Sequence, residues 1–188
     1  MVALIAAVIM IGGPILLGIL FYNNLINRKN SVDQALSDID VQLKKRFDLI
    51  PNLVETVKAY MKHERDTLVE LTELRTRHMA GGLSVQEQAD VTNKVNRLGR
   101  GLMLQVENYP DLKASKNFLQ LQAAWNEVEE QLSASRRTYN AAVKDYNNGI
   151  EQFPTNIMAR SMGYQPHAYI EIPEEERENI SAKEMFAN

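Results

Sequence analysis

The chain has 188 residues, which is the size of one domain or of one domain with an appendage. Its 21 lysines and arginines nearly balance its 24 aspartates and glutamates, which argues against a nucleic-acid-binding protein, a class that needs a basic excess. Cysteine is absent, and this excludes a disulfide framework, a cysteine nucleophile and a thiolate metal site.

The first predicted element is an uncharged stretch, residues 2–22, rich in Ile, Leu, Val and Ala. About 20 helical residues cover the roughly 30 Å hydrocarbon core of a bilayer. A cleaved signal peptide would have a basic start and a small-residue cleavage site, and the sequence shows neither. We therefore predict a retained transmembrane anchor over residues 1–22.

The charges beside this stretch predict its orientation. Arg28 and Lys29 follow the span and no cation precedes it, so the positive-inside rule places the bulk of the chain in the cytoplasm. Asp33 offsets part of this charge, which leaves the opposite orientation open. We predict a single-pass protein of the cell (inner) membrane.

Between Asn23 and His78 the apolar residues recur in alternating steps of three and four, which is typical of a helix packed against other helices. Pro51 interrupts this pattern, so the sequence predicts either a kinked helix or two abutting helices there. The apolar stripe comprises Val32, Leu36, Ile39, Leu43, Phe47, Ile50, Val54, Val57, Met61, Leu68, Leu71 and Leu74.

A second helix is predicted after a turn at 80–83, where two glycines are adjacent. Ser84 and Glu87 have the spacing of a capping box, in which each side chain satisfies an amide of the first turn. Tyr109-Pro110 ends this helix.

The last long helix keeps the three-four spacing up to Pro154, which ends it. A short turn over Thr155–Ser161 is predicted to follow, and Gly163 marks a further break. The stripe of this helix is Phe118, Leu121, Trp125, Val128, Leu132, Tyr139, Ala142, Tyr146, Ile150 and Phe153.

These elements predict an all-α fold. It consists of an N-terminal transmembrane helix followed by an elongated up-and-down bundle of three to four long antiparallel helices over residues 23–165. Residues 166–188 are predicted to be an acidic, flexible tail, because four glutamates surround Arg177 between positions 174 and 178.

Candidate catalytic and metal-binding groups are few. His63, Asp66 and Glu70 have a helical spacing that a divalent metal can use, but an exposed charged helix face explains the same spacing. Asp38 and Asp40 lie near several cations and are more simply surface ion pairs than an acid–base pair. The sequence also lacks motifs for a phosphate loop or a zinc protease. We predict no enzyme, no cofactor and no metal.

Two polar pairs in the last helix are more informative. Tyr139-Asn140 and Tyr146-Asn147 repeat after one heptad, which places both tyrosines on one face with the asparagines beside them. A phenol near a core needs a partner for its hydroxyl, and an asparagine can fix helix register. The two interpretations are this structural role and a surface that binds a partner protein or another copy.

The segment around Pro51 is the second interaction candidate. A proline inside a long helix frees backbone carbonyls and creates an adaptable groove, although a simple bend explains it too. Leu49 and Leu53 flank the main stripe and are candidates for a second apolar stripe used in self-association, with Pro51 and Asn52 between them.

The sequence resembles the LemA family of bacterial single-span membrane proteins, and the resemblance covers most of residues 20–165. It implies an anchored helical bundle but brings no defined biochemical activity; some relatives resemble factors needed to build magnetosome membranes. The segments that carry it are Tyr22-Asn23, Arg28–Asn30, Ser37–Arg65, Glu107–Ala114, Phe118–Gln122, Arg136–Asn147 and Phe153–Asn156.

From these observations we predict a membrane-anchored helical scaffold that organises protein partners or copies of itself at the bilayer surface. Tethering in two dimensions raises the effective concentration of such copies, which favours a homo-oligomer. The alternative is an adaptor or regulatory subunit of another membrane protein, such as a protease or a transporter. The predicted partners are thus the lipid bilayer, further copies and another membrane protein, and not nucleic acid.

Overall fold

A computed structural model describes residues 1–83 and 85–170 of the chain. Within these ranges the regular structure is helical and no strand occurs, so the predicted all-α fold is confirmed. Two 3₁₀ turns, Lys62–Glu64 and Val106–Asn108, interrupt the path. The α-helices are α1 (Val2–Val57), α2 (Arg65–Met79), α3 (Val85–Gln105), α4 (Pro110–Lys113), α5 (Lys116–Glu151) and α6 (Thr155–Ser161).

Helix α1 passes through Pro51 without a break and ends at Val57. Of the two predicted alternatives, abutting helices at the proline are therefore wrong. The break falls later, where the backbone of Met61 leaves the helical region and its side chain is completely buried. The amides of Tyr60 and Met61 both bond to the carbonyl of Val57, at 3.0 and 2.9 Å, and close the helix end.

Residues 39–133 form one compact unit. Its core combines the end of α1, α2, α3 and the beginning of α5, because each contributes the apolar stripe that its sequence spacing predicted. Gly81 and Gly82, both with positive φ, form the turn after α2. The largest core side chains are Phe47, Ile50, Leu53, Met61, Leu71, Leu102, Leu112, Phe118 and Trp125.

The second unit contains residues 1–38 and, of the described residues that follow, 134–170. Here α1 and α5 run antiparallel, because Gly18 lies beside Met158, just after the end of α5, whereas Arg28 lies against Gly149. Their contact buries a second apolar set, which comprises Leu25, Val32, Ala35, Tyr139, Val143, Tyr146, Ile150 and Ala159.

The beginning of α1 is the one helix in the described ranges that is long and apolar enough to cross a membrane. Its large side chains from Met10 to Leu20 are more than half exposed, as expected of a surface that faces lipid rather than protein. The helix continues across the predicted anchor boundary at residue 22, so polar residues extend the same helix beyond the apolar stretch.

Candidate functional site

The candidate site lies on α5, where two Tyr-Asn pairs repeat after one heptad. Seven residues make almost two helical turns, so the pairs lie one above the other on the same side of the helix. Tyr139 and Tyr146 are buried, whereas Asn140 and Asn147 are half-buried at the edge of the packed face. This edge is where a second polypeptide can reach the asparagine amides.

The chain itself supplies that second polypeptide. After α6, Gly163 adopts φ +68, a left-handed conformation that glycine tolerates and that ends helices. The amide of Tyr164 bonds to the carbonyl of Ala159 at 3.1 Å and closes the last turn of α6. Residues 164–170 then run back along α5 without regular secondary structure; we call residues 165–170 the C-terminal strap.

Each asparagine binds both backbone polar groups of one strap residue. Asn147 Oδ1 accepts a hydrogen bond from the amide of His167 at 2.9 Å, and its Nδ2 donates to the His167 carbonyl at 3.0 Å. Asn140 makes the same two bonds with Ile170, both at 2.9 Å. A primary amide has an acceptor oxygen and two N–H donors. It can therefore bind both the amide and the carbonyl of one extended residue, as a neighbouring β-strand would.

Each tyrosine adds one bond to a carbonyl. The hydroxyl of Tyr146 donates to the carbonyl of Gln165 at 3.2 Å, and that of Tyr139 donates to the carbonyl of Ala168 at 3.3 Å. Burial raises the pKa of both phenols, so they stay protonated donors at neutral pH. The ring of Tyr146 also meets the ring of His167 edge-on, with centroids 5.0 Å apart.

The two pairs, Tyr139-Asn140 and Tyr146-Asn147, therefore form what we call the Tyr-Asn ladder. The distance between the pairs along α5 matches the distance between their partners along the strap. One heptad of helix rises about 10.5 Å, and three residues of extended chain span about 10 Å. Moving from one pair to the next advances the helix by seven residues and the strap by three. All six hydrogen bonds go to backbone atoms of the strap, so the ladder recognises an extended conformation and a spacing rather than side chains.

Arg28 supports this region from α1. Its guanidinium donates to the carbonyl of Asp145 at 2.6 Å and to the side chain of Asn24 at 2.7 Å. Its aliphatic carbons lie over Gly149, where a Cβ would approach Arg28 Cδ to 2.8 Å. The missing side chain at 149 thus lets an arginine from α1 cross α5 next to the ladder.

The structure separates the residues that the sequence singled out into two groups. Tyr139, Asn140, Tyr146 and Asn147 come together on the strap, as just described. The Pro51 segment belongs to the unit of residues 39–133.

Leu53 corrects the expectation of a second apolar stripe. It is 0% exposed and belongs to the core of residues 39–133, and Leu49 is half-buried against that core. The helical spacing turns Leu53 inward with Ile50 and Val57, so Leu53 cannot contribute to a surface for self-association. Pro51 and Asn52 are exposed.

The sequence reasoning missed the strap itself, because an extended segment held only by its backbone carries no hydrophobic period. Gly163 and Pro166 are the residues that indicate a segment without helix here, because glycine and proline disfavour the continuation of α6. The strap crosses the predicted boundary between bundle and tail, because Gln165 is the last residue of the predicted bundle and residues 166–170 belong to the predicted tail. The acidic residues that follow, like the capping-box residue Ser84, lie outside the described residues.

No group of three or more histidine, aspartate or glutamate side chains able to hold a metal occurs in the ranges 1–83 and 85–170. His63 belongs to the 3₁₀ turn before α2, so the helical spacing assumed for His63, Asp66 and Glu70 does not apply there.

A second concave feature lies in the unit of residues 39–133. It is a depression of about 610 Å³ between the end of α1 and α2. Its floor is apolar, from Val54, Leu68 and Val69, and its rim carries three cations and one carboxylate, namely Lys58, Arg65, Arg77 and Glu73.

The chain is similar in sequence to known proteins along most of its length. The chain is 26% identical over 163 residues to Protein LemA of Metamycoplasma hominis, which covers 87% of this chain and 74% of the relative. It is 21% identical over 175 residues to Magnetosome proteins MamQ 1 and MamQ 2 of Paramagnetospirillum magneticum, covering 80% of this chain and 64% of each relative. With the exposed apolar part of α1, these similarities indicate a membrane-associated helical protein.

The family assignment follows from a match along most of the chain. The LemA family model matches residues 35–183, which include the end of α1, every later helix and the Tyr-Asn ladder. The resemblance predicted from the sequence is thereby confirmed, and the chain belongs to the LemA family.

Proposed function

We propose that this protein is a membrane-anchored scaffold that joins copies of itself at the bilayer surface by exchanging the C-terminal strap. The observation that carries this proposal is the Tyr-Asn ladder, whose six hydrogen bonds all go to backbone atoms. A neighbouring copy presents the same backbone with the same spacing, so its strap fits the ladder as well as the chain's own strap does.

Exchange of a strap has a low free-energy cost. The bonds broken within one copy are remade between two, which is the principle of domain swapping. Copies held in one membrane meet at a high effective concentration, and this favours the intermolecular form. Gly163 lies between α6 and the strap and has a left-handed φ. Because glycine has no side chain, the backbone can rotate there to redirect the strap.

Complementation between two defective copies tests the exchange. One copy carries Asn140→Ala and Asn147→Ala and has an intact strap without a ladder. The other carries His167→Pro and Ile170→Pro, which removes the two strap amides that donate to the asparagines. Each copy should be monomeric alone in mild detergent, and a mixture should form a one-to-one complex through the remaining ladder and strap.

The matched control replaces the double proline copy by Ala168→Pro. Ala168 contributes its carbonyl to Tyr139, so this proline leaves both donor amides of the strap in place. The strap of this copy therefore still binds its own ladder. The copy should then form no complex with the ladder-deficient copy. Two differently tagged versions, co-purification and analytical ultracentrifugation measure the outcome. Separate monomers in the mixture of the two defective copies would contradict the proposal.

We further propose that the helical part lies on the cytoplasmic side of the inner membrane, because Arg28 and Lys29 are the cations nearest the span. A single cysteine at the exposed position Lys144, in a chain without native cysteine, reports this. An impermeant maleimide should label it only after cell lysis; labelling of intact cells would reverse the assignment.

The alternative role, an adaptor for another membrane protein, is supported by the depression between α1 and α2. Its apolar floor and mainly cationic rim suit an amphipathic helix with acidic flanks. Val69→Asp should abolish a stoichiometric hetero-complex after gentle detergent extraction. Val41→Asp is the control, since Val41 is 51% exposed, Val69 is 46% exposed, and Val41 lies outside the depression; equal retention of a partner by both variants would rule out this surface.

A further inference from the structure

The corner between α5 and α6 exposes two large apolar side chains. Phe153 is 80% exposed and Ile157 is 65% exposed, and only three residues separate them. On the opposite side of α6, Ala159 is buried and Met158 is half-buried. The short helix therefore packs through one side and leaves an apolar side without a protein partner in the described structure.

The corner lies against α1. The Cε of Met158 lies 3.9 Å from where a Cβ of Gly18 would be. Gly18 belongs to the uncharged apolar stretch and precedes Tyr22, the last residue of that stretch. At 1.5 Å per helical residue, Gly18 lies about 6 Å from the level of Tyr22 toward the interior of the span. If α1 crosses a bilayer, α6 lies beside it at the depth of the interface.

The backbone of the corner is suited to a site with little water. The hydroxyl of Thr155 has one hydrogen to donate, and the carbonyl oxygens of Gly149 and Gln152 share it, at 2.6 and 3.0 Å. The amide of Asn156 bonds to the carbonyl of Gln152 at 2.8 Å, and that of Met162 to Met158 at 3.0 Å. Backbone groups near hydrocarbon must find partners within the protein, and these bonds provide such partners at the end of α5 and along α6.

We infer that Phe153 and Ile157 insert into the interfacial layer of the same bilayer that α1 crosses, as a second membrane contact of the chain. The occupant of this apolar surface is lipid because α6 meets α1 at Gly18, next to the apolar side chains of Leu17 and Leu20, which are 51% and 54% exposed. The exposed Arg160 on the same short helix can extend toward lipid phosphates. This inference rests on the membrane anchoring in the proposed function and not on strap exchange.

Spin-label accessibility in the full chain tests the inference. Single-cysteine variants Phe153→Cys and Ile157→Cys carry a nitroxide and are reconstituted into phosphatidylcholine vesicles. Collisions with oxygen, which concentrates in lipid, are compared with collisions with a water-soluble nickel chelate. Leu17→Cys is the control for lipid, and Lys144→Cys on an exposed part of α5 is the control for water. Thermal unfolding by circular dichroism checks that each labelled chain is folded.

We expect the ratio of oxygen to nickel collisions at 153 and 157 to be several-fold higher than at 144 and to approach that at 17. A ratio at 153 and 157 equal to that at 144, with 17 in lipid, would overturn the inference while leaving the anchor intact. Protection of 153 and 157 from both reagents would also overturn it, because a protein would then cover the corner. A label at 17 that behaves like the one at 144 would contradict the anchor itself.

Discussion

Gly99 in α3 faces the indole of Trp125 in α5, and a side chain there has no room. A Cβ at this position would collide with Cζ2 of the indole and lie 2.8 Å from its Cη2. Gly101, two residues later and therefore on the opposite side of the same helix, has no heavy atom within 4 Å of the position that its Cβ would take. Two glycines in one helix thus have opposite roles, and their sequence alone does not distinguish them.

The variant Gly99→Ala should destabilise the protein although alanine favours helices. Overpacking against Trp125 costs about 1–3 kcal/mol, which exceeds the gain of about 1 kcal/mol in helix propensity. Gly101→Ala is the matched control and should stabilise the protein by up to about 1 kcal/mol. Urea unfolding followed by tryptophan fluorescence measures both, and equal stabilisation by the two alanines would show that the indole moves aside.

His78 stacks on Phe47, with ring centroids 3.8 Å apart and planes 10° from parallel. Burial lowers the pKa of His78 below its ordinary value of 6.5, and this outweighs the opposing effect of the Asp40 carboxylate. Because the pKa is lower in the folded protein than in the unfolded chain, the unfolded state binds more protons as the pH falls through 6.5. The stacked neutral ring is thus favoured above that pH.

Stability should therefore decrease as the pH is lowered from about 7.5 to below 6. In the His78→Gln variant, stability should decrease less over this pH range, because the contribution of the imidazole is absent. The midpoints of urea unfolding at several pH values measure this. His63→Gln serves as the control, because His63 is exposed in the 3₁₀ turn. A pH profile of the His78→Gln variant identical to that of the parent chain would contradict this account.

Arg46 is only 2% exposed, and its charge lies between an aromatic ring and a carboxylate. Its guanidinium carbon is 4.9 Å from the centre of the Trp125 ring, and a terminal nitrogen is 3.5 Å from Glu129 Oε2. The other carboxylate oxygen of Glu129 accepts a bond from Arg100 Nε at 2.9 Å. One carboxylate thus balances two arginines, one of them buried.

Glu129→Gln should cost about 3 kcal/mol of stability, because it removes the negative charge that lies 3.5 Å from the buried guanidinium of Arg46. Glu55→Gln is the control, since Glu55 pairs with Lys58 at 2.6 Å on an exposed surface, where such pairs contribute less than about 0.5 kcal/mol. Denaturant unfolding measures both variants. Similar small losses would mean that the arginines find other partners.

At the scale of secondary structure, the strap depends on the asparagines of α5. Asn147→Asp keeps an acceptor for the His167 amide but replaces the donor to the His167 carbonyl by a second oxygen. We expect hydrogen exchange of the His167 and Ile170 amides to accelerate at least tenfold, which corresponds to a loss of about 1.4 kcal/mol. Asn148→Asp on the same helix is the control. Unchanged exchange at His167 would contradict the ladder.

The helices themselves were largely predictable, because apolar spacing and turn residues act locally. The limits of α6 coincide with the predicted Thr155–Ser161, since Pro154 and Gly163 bracket it. The end of α1 was not predicted: Pro51 stays in the helix, and the break at Lys58–Met61 contains no glycine or proline. The apolar spacing predicted Met61 as a core residue, and it is buried, but the same spacing predicted a helix that continues through it, whereas α1 ends at Val57.

At the scale of the whole molecule, the spacing of residues predicted the fold class and the four polar residues of the ladder. It did not predict that the ladder binds the C-terminal strap. A heptad repeat of Tyr-Asn shows that two polar pairs share one face. It does not show that residues 165–170 return to that face, because this return depends on the left-handed turn at Gly163 and on tertiary contacts. The prediction that Leu53 lies on a second, exposed stripe was wrong for a related reason. A residue beside the main stripe becomes part of the core when a further helix packs over it, and this depends on tertiary contacts.

The ladder has a consequence for how this part of the chain can vary. Substitutions in the strap change side chains that the hydrogen bonds do not touch, whereas the two amides of His167 and Ile170 must stay three residues apart. Inserting a single residue between them would misalign one pair by about 3.3 Å and forfeit its bonds. Natural selection on the strap should therefore conserve its length and exclude proline at two positions, while its amino-acid identities drift.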